Sequence, residues 1–186
     1  FHSSYAYEDF IQGYRPVENG GFACKNGIFL DICQQAQSSP KKNFVLIIDE
    51  INRGNLAKIF GELLYLLEYR DEQVNLTYSP NQKFSIPENL YLIGTMNTAD
   101  RSLAMLDYAL RRRFAFVPLE TDYGVLRRAL QEKNCLLDIE RLCENIEKMN
   151  GEIVDNMALG KGFQIGHSYF IQEENLDREK LQALWD

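Results

Sequence analysis

The chain is poor in the residues on which disulfide scaffolds, metal centres and nucleic-acid coats rely. Four cysteines, Cys24, Cys33, Cys135 and Cys143, form no Cys-x-x-Cys pair, and neither histidine, His2 or His167, lies near one of them in sequence. That spacing excludes a zinc site built from them, and they read as reduced core thiols. Positive charge is in deficit too: 20 Lys and Arg face 27 Asp and Glu, a formal charge of -7. No general basic field therefore holds a nucleic acid, and any DNA contact must be local or belong to another segment. No apolar run reaches the ~20 residues that cross a bilayer, and no basic-then-apolar leader opens the chain. A cytoplasmic protein without membrane contact is expected. Gly-x-Ser-x-Gly and His-Glu-x-x-His are missing, which removes the commonest serine- and zinc-hydrolase patterns.

What is present suits a folded domain. Hydrophobic residues at 45% and charged residues at 25% are too apolar for disorder, and 186 residues suffice for one sizeable core plus a minor lobe. Residues 44–48, FVLII, are a continuous apolar run of strand length, which suits a central strand covered on both faces. Residues 56–69 carry apolar side chains at helical spacing, and 89–96, NLYLIGTM, read as a second buried strand. Between them, 74–78 and 83–86 suggest a hairpin insertion turning at Ser79-Pro80-Asn81. A helix over 102–113 and a third strand over 114–119 complete an alternation that predicts an α/β parallel sheet. From 123 onward the pattern is helical, over 125–131, 138–149 and finally 177–185. The first sixteen residues suggest a short strand and then a turn or helical piece, 22–25 a short hairpin between glycine turns, and 28–37 a helix.

Ligands of parallel α/β sheets sit beyond the carboxyl ends of the strands. The run 44–48 ends there on Asp49 and Glu50, and the second strand on Asn97. A nucleoside triphosphatase needs such a pair: an Asp holds Mg²⁺ through water while a Glu orients or deprotonates the attacking water. Acids at a helix start are equally compatible with Asp-Glu alone, and an Asn can simply cap a helix. The two features at matching strand ends favour a site, with the amide of Asn97 positioning the water. Arg111, Arg112 and Arg113 close the third helix; three in succession cannot share one face, so one of them is available to an anion such as a neighbouring subunit's triphosphate. Arg53 could serve the same interface or make a surface ion pair. The phosphate loop Gly-x-x-x-x-Gly-Lys-[Ser/Thr] is absent, and Gly160-Lys161-Gly162 does not supply it. The chain opens on Phe1 inside patterned sequence and both ends read as cuts, so the loop is expected upstream.

Taken together, IIDEINRGN (47–55), GTMNTADRSLAMLDYALRRRF (94–114), GKGFQIGHSYF (160–170) and YEDFIQGYRP (7–16) resemble the McrB-type AAA+ GTPases, motor subunits of methylcytosine-dependent restriction systems within the dynein-related AAA family. The resemblance implies a P-loop NTPase fold of the AAA+ type: a partial parallel sheet flanked by helices over 1–120, without its Walker A segment, and a truncated helical lid over 121–186. It implies Asp49 of the Walker B strand at Mg²⁺, Glu50 at the water, Asn97 as sensor, and Arg112 and Arg113 as fingers acting in trans. Asp100 and Arg101 would shape the subunit interface, and Gly166-His167-Ser168 would approach the nucleotide. The substrate would be GTP or ATP, the assembly a ring of six, the partner an McrC-type nuclease, and the DNA contact a separate N-terminal domain. This chain alone is expected to be inactive. Two other outcomes remain open at this point: a MoxR-like ATPase acting as a chaperone, and a scaffold that does not hydrolyse nucleotide.

Overall fold

The computed structural model describes residues 1–18, 20–97, 111–133, 135 and 137–171. They fall into two compact units, Phe1–Phe116 and Val117–Asp186. In the first, a single turn of helix α1 (Tyr7–Phe10) leads into β1 (Gln12–Pro16), which pairs antiparallel with β2 (Phe22–Asn26). Helix thus precedes strand, the reverse of the order suggested by the sequence, and the expected hairpin at 22–25 is one arm of a longer one. Gly20 and Gly21 make its turn at φ 77 and 94, a region that residues with a Cβ rarely enter.

Helix α2 (Ile28–Ser38) buries Phe29, Leu30, Cys33 and Ala36 along one stripe. Burial pushes the Cys33 thiol up to about 12, so it stays protonated and inert. All four cysteines are free, but Cys24 is exposed on β2 and is not a core thiol. Strand β3 (Phe44–Ile48) follows, then a 3₁₀ turn (Ile51–Arg53) and helices α3 (Leu56–Phe60) and α4 (Leu63–Leu66). The expected helix over 56–69 is broken in two at Gly61, which takes φ 52. A Cβ there would meet the Tyr7 ring at 3.0 Å, so close packing of α1 against this corner fixes the break.

Strands β4 (Val74–Leu76) and β5 (Ser79–Phe84) form the hairpin insertion, with the turn at Thr77-Tyr78 and not at Ser79-Pro80-Asn81. Tertiary contacts select it. Glu62 accepts hydrogen bonds from the Thr77 amide (2.9 Å), the Thr77 hydroxyl (3.1 Å) and the Tyr7 hydroxyl (2.6 Å), while the Tyr78 hydroxyl donates to Glu8 at 2.6 Å. Pro80 is tolerated because each strand of a two-stranded sheet has an open edge.

Strand β6 (Leu90–Gly94) then lies parallel to β3, in register from Phe44 opposite Leu90 to Ile48 opposite Gly94. Asn89 locks its start: its amide nitrogen donates to the carbonyls of Ala36, Ser39 and Lys42 at 3.0, 3.2 and 2.8 Å. One face of this pair joins the core of α1 to α4 through Phe44, Leu46, Ile48, Leu90 and Leu92. On the other face Val45, Ile47, Tyr91 and Ile93 remain 50, 63, 52 and 50% exposed. Cover on both faces was expected; among the described residues only one face has it. The third strand is corrected too. Residues 114–119 form no ladder, since no described strand pairs with them, and Val117 and Leu119 are exposed. Of the helix expected over 102–113, residues 102–110 lie outside the described residues, as does that over 177–185.

In the second unit, α5 (Tyr123–Glu132) and α6 (Ile139–Asp155) enclose Leu126, Leu130, Cys143 and Ile146 with Phe170 from a 3₁₀ turn (His167–Phe170). Asp122 caps α5 through the Val125 amide at 2.9 Å, and Asp138 caps α6 through Arg141 at 3.2 Å. Buried Asn150 has all its groups satisfied by Tyr123 and by both backbone groups of Ile165. It pins the 160–165 loop to α6.

The α1 corner sets an acid limit on the first unit. Arg15 at 2.6 Å holds the Asp9 carboxyl below its ordinary range, and the Tyr78 hydroxyl does the same for Glu8. Both folded values are depressed, so their contribution is complete above the unfolded carboxylate value near 4 and is lost as pH falls through the folded values. Urea midpoints are expected to be flat from pH 7 to about 5 and to fall below about 4. The Glu8→Gln/Asp9→Asn double variant should show a shallower fall, and an unchanged slope would contradict this assignment.

Candidate functional site

The parallel pair β3 and β6 brings its two polar ends together. Beyond Ile48 the chain turns sharply at Glu50, which adopts a left-handed φ of 52 and ψ of 48. No other described non-glycine residue has positive φ, and such a conformation costs about 1 kcal/mol. Strained backbone of this kind clusters at functional sites. The Ile51 amide donates to the Thr95 carbonyl at 2.9 Å and the Thr95 amide to the Ile48 carbonyl at 3.0 Å. Side chains tighten the same junction: the Glu50 amide donates to Thr95 Oγ1 at 3.3 Å, and Thr95 Oγ1 donates to Asp49 Oδ1. Gly94 leaves the room this needs, because a Cβ there would stand 2.8 Å from Ile51 Cδ1.

Glu50 Oε2 accepts from Arg53 Nε at 3.2 Å across one 3₁₀ turn. Arg53 is therefore an intrachain partner of the carboxylate in this structure. Asn97 lies three residues beyond β6, exposed, and its carbonyl accepts a long 3.5 Å hydrogen bond from Asn52 Nδ2. Asp49, Glu50, Arg53 and Asn97 thus gather at one end of the sheet.

The arginines sit elsewhere. Arg112 Nε and Arg113 Nη2 both reach Glu68 Oε2 at 3.3 Å, with side-chain exposures of 57 and 6%. Arg113 lines a cavity with Arg70, Glu88 and Leu90, at the amino end of β6. About 13 Å of strand separates that end from the carboxylates. The two arginines are not brought to the carboxylates of their own chain. His167 belongs to the second unit, where its Nδ1 accepts from the Asp122 amide at 3.0 Å and so buttresses the start of α5. Asp100 lies outside the described residues.

The donor set fits Mg²⁺. No group of three or more acidic, His or Cys side chains forms a metal cage among the described residues, and Mg²⁺ is characteristically held by one or two carboxylates, waters and substrate phosphates. Asn52 Oδ1 is enclosed beside this junction without a protein partner, an acceptor of the kind that a hydrated ion uses.

Residues 1–114 match the family model described as AAA domain (dynein-related subfamily). The chain belongs to this AAA family. Residues 141–186 match a second model, described as McrB, alpha-helical lid domain, so an AAA α/β P-loop fold is followed by an McrB-type helical lid. The chain is 53% identical to the Type IV methyl-directed restriction enzyme EcoKMcrB subunit of Escherichia coli (strain K12), over 91% of its own length and 39% of that protein's. It is 30% identical to the Type II restriction enzyme BsuMI component YdiS of Bacillus subtilis (strain 168), over 62% of this chain and 38% of that one. Cortactin-binding protein 2 of Microcebus murinus is 28% identical over 52% of this chain. The chain thus spans about two fifths of the length of the two restriction proteins it matches.

Within this AAA domain, sequence reasoning missed Thr95, Asn52 and Glu68. Thr95 lay inside GTMN as an ordinary polar residue, and only the strand register places its hydroxyl on Asp49. Glu68 continues a helical charge pattern on the α4 side, and nothing local announces two arginines 44 and 45 positions further on.

Proposed function

We propose that the full-length protein hydrolyses GTP or ATP with Mg²⁺ at the junction of β3 and β6. In this reading Asp49 holds the ion through water, Glu50 takes the proton of the attacking water, and Asn97 orients that water. When bound, Mg²⁺ supplies charge neutralisation on the phosphates. Arg53 steadies the Glu50 carboxylate, and Arg112 with Arg113 serve the site of the next subunit in a ring of six. Asp100 contributes to the subunit interface and His167 to the lid side of the nucleotide. Hydrolysis would drive DNA translocation and cleavage through an McrC-type nuclease, with DNA recognised by a separate N-terminal domain, in the cytoplasm. The whole assembly would be the motor of a modification-dependent restriction system.

One observation carries the reading: adjacent carboxylates at the end of one apolar strand meet the polar end of its parallel neighbour through a strained left-handed residue. Similarity to two restriction proteins supports the restriction role over a MoxR-like chaperone or an inert scaffold. No described helix is long and apolar enough to cross a membrane. Phosphate release by the full-length protein is the test. Mg²⁺-dependent turnover of GTP or ATP is expected, whereas the 186-residue chain, lacking a backbone cradle for the β- and γ-phosphates, should hydrolyse neither. Absence of turnover with either nucleotide in the full-length protein, with its partner nuclease present, would overturn the proposal.

A further inference from the structure

Thr95 touches both carboxylate-bearing residues of the site, and no role has been assigned to it. Its one hydroxyl proton is committed to Asp49 Oδ1, and the same oxygen accepts the Glu50 amide at 3.3 Å. Its own backbone completes the clamp, with the amide on Ile48 and the carbonyl on the Ile51 amide. Four hydrogen bonds from one residue therefore fix the four-residue stretch from Ile48 to Ile51, on which Asp49 and Glu50 both ride. The backbone pair would survive any substitution that keeps the strand, so the hydroxyl is the separable part.

We infer that Thr95 is a positioning residue: its hydroxyl fixes the Asp49 carboxylate and the Glu50 turn together, coupling metal holding to water activation. The inference rests on the nucleotide reading given above. Two consequences follow from the geometry. With Oδ1 engaged by Thr95, the Asp49 carboxylate is held in one orientation, and Oδ2 is the oxygen left to serve a hydrated cation. The Glu50 amide, held by the same oxygen, keeps the left-handed turn closed, so the Glu50 side chain departs from the strand in one direction. Outer residues that orient a metal-holding carboxylate in this way are worth roughly 10–100-fold in metal affinity or activity when removed.

Thr95 is exposed, so Thr95→Val, equal in shape, removes the hydroxyl with little loss of packing, and Thr95→Ser restores it. In the full-length protein, Thr95→Val should raise the Mg²⁺ concentration for half-maximal turnover and lower kcat, each about tenfold, with the KM for nucleotide much less changed. Thr95→Ser should stay within about threefold of the parent. A readout independent of catalysis accompanies it: without nucleotide, hydrogen–deuterium exchange of the peptide covering 48–53 should speed up in Thr95→Val and not in Thr95→Ser. Unchanged exchange in Thr95→Val, or equal exchange in the two variants, would overturn the inference even if the parent protein proved inactive. Parent inactivity with the expected exchange pattern would instead count against the nucleotide reading and leave the clamp standing. Parental Mg²⁺ dependence in Thr95→Val would also overturn it.

Discussion

Glu50→Gln in the full-length protein is expected to keep nucleotide bound while turnover falls by about 10²–10⁴, the usual worth of a positioned proton acceptor. The amide keeps the length and shape of the side chain and its hydrogen bond toward Arg53, but it no longer takes a proton from water. Stability should not move. Glu50 already bears the cost of a left-handed φ of 52, and Gln bears the same cost, so the backbone contribution cancels between the two proteins. Glu50→Gly would be a poor probe, because glycine relieves that strain and alters stability and chemistry together. Equilibrium binding of a labelled nucleotide beside phosphate release separates the effects. Full turnover by Glu50→Gln would remove this residue from the chemistry.

The second large effect divides two neighbouring arginines. Arg112 is 57% exposed and shares Glu68 with Arg113, so its removal should cost less than about 1 kcal/mol of stability. Arg113 is 6% exposed, and its removal strips a half-buried carboxylate of its enclosed partner, at a cost of about 2 kcal/mol. If Arg112 reaches the triphosphate of the adjacent subunit, Arg112→Ala should lower turnover about 10³-fold with an unchanged melting temperature. Arg113→Ala should lower both turnover and melting temperature, and Glu68→Gln should reproduce part of the melting change. A large loss of stability in Arg112→Ala with normal turnover would reverse the assignment.

The pairing of two apolar strands was legible because FVLII and LYLI are unbroken apolar runs of strand length, which suit a sheet with a buried face. Their polar ends were legible because each apolar run stops on polar residues, and parallel register carries both ends to one side of the sheet, with Thr95 beside Asp49. What stayed hidden was set by long-range contacts. The hairpin turn follows the carboxylate of Glu62 and not the Ser-Pro-Asn triplet, and the helix break at Gly61 follows the Tyr7 ring. The third strand looked convincing in isolation because AFVPL has strand-forming residues, but a strand exists only where a neighbour offers its ladder. His167 shows the same limit from the other side: at a glycine-flanked position that suggested a ligand contact, its ring nitrogen accepts a helix-start amide.

The central claim, that Asp49 and Glu50 of one chain form a hydrolytic site completed by arginine from the next, is tested most directly by mixing two inactive full-length variants. Glu50→Gln retains its arginines and Arg112→Ala retains its carboxylates. In a head-to-tail ring assembled at random from equal amounts, about a quarter of the interfaces would pair an intact Glu50 with an intact Arg112. Phosphate release should therefore recover to about a quarter of the parent rate on mixing, although each variant alone is silent. No recovery in rings shown to contain both subunits would contradict the claim.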